Sequence, residues 1–202
     1  MENYKKNLEI LKKNHVYSEE MEHDACGVGL IASTEGKKSR KVVEYGIEAL
    51  KAVWHRGAVD ADGKTGDGAG IHVEIPKDFF IEKIEVTGHS YDNSEICVGM
   101  IFLPRNDYAA QESCKTIVES ELTKNDFSIY GWRQVPVNPK VLGEKAFQTM
   151  PEIIQVLFKS NNPELLNKDL ERKIYETRRI IENKAFQISL NNFYICSLSS
   201  KS

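Results

Sequence analysis

The stretch Asp24-Ala25-Cys26-Gly27-Val28-Gly29-Leu30-Ile31-Ala32 decides how this chain is read. Residues 26–32 form a short apolar run, which predicts a buried strand. A cysteine stands at its head, where a polar, charge-rich leader ends. Left in mid-chain, Cys26 is a small buried hydrophobe. Its small neighbours Ala25 and Gly27, however, leave the peptide bond before it sterically open. Cleavage there would place a thiol and a free α-amine on one residue. Such an amine has a reference pKa of about 7.7–8.0, so it can act as general base without any histidine. The five histidines, His15, His23, His55, His72 and His89, show no spacing that demands a Cys–His pair.

Upstream, residues 1–25 scatter Leu8, Ile10, Leu11, Val16 and Tyr17 among charges, with no continuous apolar stretch of a secretory signal. A cytoplasmic setting is therefore expected, with Cys26, Cys97, Cys114 and Cys196 as reduced thiols. No CxxC occurs, and no metal site is expected. The whole chain has 202 residues, 41% hydrophobic and 28% charged, with a net charge of −3. That balance fits a globular domain and excludes a collagen or a chain disordered throughout. It offers no general attraction to nucleic acid or anionic lipid. No apolar run approaches the roughly 18 residues a membrane helix needs.

Downstream, Val43, Ile47, Leu50 and Trp54 lie at steps of four, three and four, predicting a helix over 39–54. Residues 71–75 alternate as a half-buried strand ending at Pro76. Residues 95–103 are apolar almost throughout, as in a central strand. A helix is expected over 107–122 and a strand over 127–135. The longest helix is expected over 163–186, with Leu166, Leu170, Ile174 and Ile181 on one face. Its Arg172, Lys173, Arg178 and Arg179 are interleaved with Glu171, Glu176 and Glu182, which describes a solvated face better than a nucleic-acid surface. Residues 191–199 read as a turn and then a strand. Helices and strands alternate, so the class is mixed α and β.

Between the first helix and the strand at 71–75 lies a glycine-rich loop, Gly57 to Gly70, with Gly63-Lys64-Thr65-Gly66-Asp67-Gly68-Ala69-Gly70 at its heart. Phosphate-cradling loops follow a strand and open a helix. This one follows a helix and opens a strand, which argues against a nucleotide site. It reads either as a tight turn needing positive φ or as a backbone-exposed border of an active site.

Several of these motifs together resemble the class-II glutamine amidotransferase domain that begins the large subunit of glutamate synthases. They are Asp24-Ala25-Cys26-Gly27-Val28-Gly29, Glu48-Ala49-Leu50, His55-Arg56-Gly57-Ala58 and Thr65-Gly66-Asp67-Gly68-Ala69-Gly70-Ile71. Further on come Gly99-Met100-Ile101-Phe102-Leu103, Gly131-Trp132-Arg133-Gln134-Val135-Pro136 and Phe193-Tyr194-Ile195-Cys196-Ser197-Leu198-Ser199. The resemblance runs in order over most of residues 24–199.

It implies an α+β fold, the four-layer αββα sandwich of N-terminal-nucleophile hydrolases, present here as an incomplete N-terminal portion. Residues 1–25 would be a propeptide, and 26–202 the N-terminal part of the amidotransferase domain. Cys26 would be the nucleophile and, once exposed, its α-amine the base. The substrate would be L-glutamine, with ammonia passed to 2-oxoglutarate elsewhere in the enzyme. Arg56 matches the arginine of the family's His-Arg-Gly motif, where a fixed positive charge favours thiolate over thiol; a surface ion pair is its other reading. His55 reads as a packing or hydrogen-bonding residue, and Asp67 as an organiser of the loop through side-chain-to-backbone bonds. The FMN and iron–sulfur cluster of the full subunit are expected outside this segment, as are the remaining synthase domains and a small electron-transfer subunit. The family's oxyanion hole and glutamine clamp come from segments after the 193–199 strand. The 202 residues alone are therefore expected to hydrolyse glutamine little or not at all. A non-catalytic remnant or interaction module is the alternative.

Overall fold

The apolar run near residue 100 becomes the centre of a sheet in the computed structural model, which describes residues 2–14, 27–54, 57–66 and 68–202. These divide into two compact units, Met1–Ala58 and Val59–Ser202.

In the first unit, α1 spans Glu2–Asn14 and α2 spans Arg40–Ala52. The start of α2 follows from Ser39, whose hydroxyl accepts the Lys41 N–H at 3.2 Å and satisfies a donor the helix cannot. Val43, Ile47 and Leu50 do share a face, but it is only half-buried, and no residue of α2 is fully buried. Trp54, expected on that face, is 75% exposed. The strand expected from Cys26 is described from Gly27 onward. There the chain has no ladder partner among the described residues, and Val28 and Leu30 are exposed. Alternation or apolarity prepares a segment for a sheet, but the strand exists only once a neighbour accepts its N–H and C=O groups.

The second unit holds α3 (Lys77–Val86), β1 (Cys97–Leu103), α4 (Tyr108–Lys124), β2 (Phe127–Gln134), α5 (Glu144–Thr149), β3 (Glu152–Ser160), α6 (Asn167–Gln187) and β4 (Tyr194–Ser199). The sheet order is β2-β3-β1-β4, and every neighbouring pair is antiparallel. Thus β1-α4-β2 and β3-α6-β4 interlock, each pair of strands separated by one strand of the other, in a split β-α-β arrangement. The class is α+β. Among the described residues there is this one sheet.

Strands β1 and β3 are apolar on successive residues because both faces are covered. On one face Cys97, Ile101, Leu103, Ile154, Val156 and Phe158 pack against Cys114, Val118 and Leu122 of α4 and Leu170, Ile174 and Ile181 of α6. On the other, Val98 and Leu157 meet Phe80 and Ile84 of α3. Polar contacts fix the helix layer. Buried Glu121 of α4 accepts from Lys184 of α6 at 2.7 Å and from Lys124 at 3.1 Å. Lys184, chiefly, holds that carboxyl below its usual range, against its own burial. Glu171 of α6 receives Ser199 Oγ at 2.9 Å and both the N–H and hydroxyl of Ser200 at 2.7 Å, which seals the end of β4.

The strand expected at 71–75 is not formed. Its last residue, Ile75, is buried and donates its N–H to the Lys201 carbonyl at 2.9 Å. The helix expected at 163–186 runs instead from Asn167 to Gln187. Leu166 is its exposed N-cap residue, and Thr177 and Ala185 complete the buried face.

Candidate functional site

Both sequence-derived catalytic candidates, Cys26 and Arg56, lie outside the described residues, as do His55 and Asp67. What the structure does describe is the glycine-rich loop between them, over 57–66 and 68–70, and its anchor. Asp60 and Thr65 close a hairpin: the Asp60 N–H donates to Thr65 O at 2.7 Å, and Val59 pairs with Gly66 as an antiparallel bridge. The Gly63 N–H donates to Asp60 O at 2.9 Å, with Gly63 at φ 66°, a conformation that favours glycine. The positive-φ turn expected of this loop therefore falls at Gly63.

Inside the hairpin the organising side chain is Asp62. Its Oδ1 accepts the N–H groups of Lys64 at 2.9 Å and Thr65 at 2.7 Å, and its Oδ2 accepts the Thr65 hydroxyl at 2.5 Å. The Thr65 hydroxyl, then the Thr65 and Lys64 N–H groups and the Glu144 N–H, hold the Asp62 carboxyl well below the usual carboxylate range. An acceptor saturated in this way does not exchange protons near neutrality, so Asp62 is a structural anion and not a general acid. Asp67, the side chain from which such organisation was expected, lies outside the described residues, and Asp62 was not among the expected ones. The signal was present: Asp62-Gly63 is a turn pair whose carboxylate can bond its own backbone two and three residues on.

The hairpin is fastened to the start of α5. The Ala146 N–H reaches Thr65 Oγ1 at 3.5 Å, and Lys145 Nζ lies 2.6 Å from Asp60 Oδ2. Gly143, which caps α5, sits so close that a Cβ there would lie 2.5 Å from Thr65 N and closer still to Thr65 Oγ1 and Asp62 Oδ2. Only glycine lets the two backbones approach this far. Beside the junction is a cavity of about 440 Å³ lined by Asp62, Lys64, Leu142, Gly143, Glu144 and Phe147. The Arg105 guanidinium stacks on the Phe147 ring, 4.6 Å from its centre.

The remaining thiols divide by environment. Cys97 and Cys114 are buried in the core, and Cys196 is exposed on β4. Burial pushes the Cys97 thiol far up and that of Cys114 to about 11. An iron–sulfur cluster needs converging thiolates, and among the described residues no three Cys, His, Asp or Glu side chains converge. The described residues therefore do not fit such a cluster. Nor does the glycine-rich loop open a helix: extended chain follows it until α3 begins at Lys77, so it lacks the geometry of a phosphate cradle. No helix among the described residues is long and apolar enough to cross a membrane.

Comparison with known proteins adds a second line of observation. The family model described as "Glutamine amidotransferases class-II" matches residues 26–202. The chain is 52% identical over 199 residues to the "Glutamate synthase [NADPH] large chain" of Azospirillum brasilense, covering 98% of this chain and 13% of that protein. It is 37% identical over 195 residues to "Ferredoxin-dependent glutamate synthase 2, chloroplastic" of Arabidopsis thaliana, covering 95% and 12%. Against "Ferredoxin-dependent glutamate synthase" of Pyropia yezoensis the identity is 39% over 198 residues, covering 94% and 12%. The chain thus spans a small fraction of the length of the relatives it matches.

Proposed function

The chain belongs to the class-II glutamine amidotransferases, and from that premise we propose that it contributes the ammonia-releasing half-reaction of a glutamate synthase. The leader 1–25 is a propeptide whose removal exposes Cys26. The Cys26 α-amine takes the thiol proton, and the resulting thiolate attacks the side-chain amide carbon of L-glutamine. The carbonyl π bond gives its electrons to oxygen, forming a tetrahedral oxyanion. Collapse breaks the C–N bond, and the nitrogen takes a proton from the Cys26 α-ammonium group and leaves as ammonia. Water then cleaves the glutamyl thioester, returning the thiolate and releasing glutamate. Arg56 favours the ionised sulfur. Ammonia passes to a 2-oxoglutarate site in another part of the enzyme. In that part FMN and an iron–sulfur cluster, when bound, would supply the reducing chemistry, with electrons from a small subunit. The setting is the cytoplasm.

The observation that carries this reading is 52% identity across nearly the whole chain to a glutamate synthase large chain, joined to a family match whose first residue is Cys26. The test is turnover by the protein as its gene encodes it. Cys26→Ala should abolish glutamine-dependent glutamate formation while leaving formation from added ammonium intact. N-terminal sequencing should begin at Cys26. Glutamine turnover that survives Cys26→Ala, or a mature protein that retains leader residues and still turns over, would overturn the reading.

A further inference from the structure

We propose that the cleft between the Val59–Gly66 hairpin and the start of α5 binds a free α-amino acid with an apolar side chain. Its ammonium group meets Glu144, its carboxylate meets Lys64, and its side chain lies on Phe147. Every residue of this cleft belongs to the second unit, and the proposal stands apart from the glutaminase reading.

The two walls carry opposite charges. Lys64 lines the 440 Å³ cavity from the hairpin and Glu144 lines it from α5. Neither side chain enters an ion pair or a hydrogen bond among the described residues. The charges beside them are engaged: Asp62 accepts from Lys64 N–H, Thr65 N–H and the Thr65 hydroxyl, and Lys145 pairs with Asp60. Opposite charges that share a cleft without pairing leave a gap that a zwitterion can bridge. A ligand of single charge would satisfy one wall and ignore the other. Exposed charge contacts are weak in water, so the floor must contribute. Leu142 and Phe147 supply it, the Phe147 ring being 45% exposed, and covering such a ring with an aliphatic side chain removes apolar area from water.

The cleft is also preformed. Thr65 and Asp60 fasten the hairpin to Ala146 and Lys145, and Gly143 leaves no space for a methyl group between the two segments. The Phe147 ring is backed by the Arg105 guanidinium, 4.6 Å from its centre. Arg105 is itself held by buried Gln111, whose Nε2 donates to Pro104 O at 2.8 Å and Arg105 O at 3.2 Å. Walls and floor fixed in advance lower the ordering cost of binding.

The experiment is a saturation-transfer NMR titration of the gene-encoded protein with three probes. They are L-leucine, N-acetyl-L-leucine, which lacks the ammonium charge, and L-leucinamide, which lacks the carboxylate. L-leucine should bind saturably. Lys64→Ala and Glu144→Ala should each weaken it about threefold, and Phe147→Ala about tenfold. N-acetyl-L-leucine should respond to Lys64→Ala and ignore Glu144→Ala, and L-leucinamide should do the reverse. Lys64 and Glu144 are exposed, so both variants should keep the wild-type circular dichroism. Absence of L-leucine binding in the wild type overturns the proposal, as does binding that survives all three substitutions unchanged. Either derivative responding equally to Lys64→Ala and Glu144→Ala also overturns it, because the charges would then act as a general field and not as separate contacts. None of these readouts requires glutamine turnover, so failure here leaves the glutaminase reading untouched.

Discussion

Arg178 Nη2 donates to the carbonyl oxygen of Ile195 at 2.7 Å, so a side chain of α6 occupies an acceptor on β4, the strand at one edge of the sheet. The same guanidinium places Nε 2.8 Å from Glu182 Oε1. Arg179 also pairs with Glu182, and Lys173 lies 3.9 Å from Asp126. Three of the four basic residues that could suggest a nucleic-acid surface, Lys173, Arg178 and Arg179, are thus engaged within their own unit, and one of them reaches an edge strand.

Arg178→Ala should lower stability by about 1–3 kcal/mol, the cost of a charge-assisted bond to a partly buried carbonyl. Arg178→Lys should recover little, because one ammonium cannot serve Glu182 and Ile195 in the fork geometry. Urea denaturation monitored by circular dichroism reads both variants. Equal midpoints for Arg178→Lys and wild type would show that the fork geometry is irrelevant.

Gly99 lies in the middle of β1, and a Cβ built there would meet Leu198 Cδ1 at 2.6 Å and Val156 Cγ1 at 2.7 Å. Both are core residues on the neighbouring strands. Gly99→Ala should therefore cost about 1–3 kcal/mol by overpacking. Val156→Ala in the same chain should relieve part of that strain. The comparison is a double-mutant cycle in denaturant, and strict additivity of the two changes would count against a direct clash.

Native thiol labelling at pH 8 should modify Cys196 and leave Cys97 and Cys114 untouched until the chain is unfolded. Burial both blocks reagent access and disfavours the thiolate, with Cys114 raised to about 11. Peptide mapping after a timed pulse distinguishes the sites. Rapid native modification of Cys114 would contradict the packing of α4 on the sheet.

Acid should weaken the second unit below about pH 4. Asp92 is held well below its ordinary range, first by Lys159 and then by Ser94 and Tyr130. Glu95 is opposed by burial but drawn down by Lys77 and Lys201, and Glu121 is drawn down by Lys184. Each of these carboxyls has a folded pKa below its unfolded value. Their stabilisation is complete above the unfolded values of about 3.9–4.3 and is lost as pH falls through the folded ones. Asp92→Asn should lower stability at pH 7 and flatten its decline with acid. An unchanged acid slope in that variant would exclude Asp92 as a contributor.

Much of the second unit is legible in the chain itself. The spacing of Cys114, Val118 and Leu122 places α4, and the unbroken apolarity of β1 identifies a strand covered on both faces. The expected strand at 127–135 forms as β2, and the turn and strand at 191–199 become β4. Four elements went unread: α1, α3, α5 and β3. The last carries the clear run Ile153-Ile154-Gln155-Val156-Leu157-Phe158 and pairs with both β1 and β2. Conversely, 27–32 and 71–75 carry strand patterns without forming strands. At the loop, the glycines announce a turn, but the partner that fixes it sits eighty residues away at Gly143-Glu144, beyond any local pattern.

By itself the sequence determined the family, the nucleophile candidate and the helix and strand periods, because these depend on residue identity and on spacings within a few turns of chain. Tertiary structure alone decided which extended segments became strands, that the Asp60–Thr65 hairpin is tied to the start of α5, and that Arg178 caps a carbonyl on an edge strand. The physical reason is common to all three. Backbone ladders, the hairpin's ties to α5 and capped carbonyls are satisfied by groups well separated in sequence, and only folding brings those groups within hydrogen-bond reach.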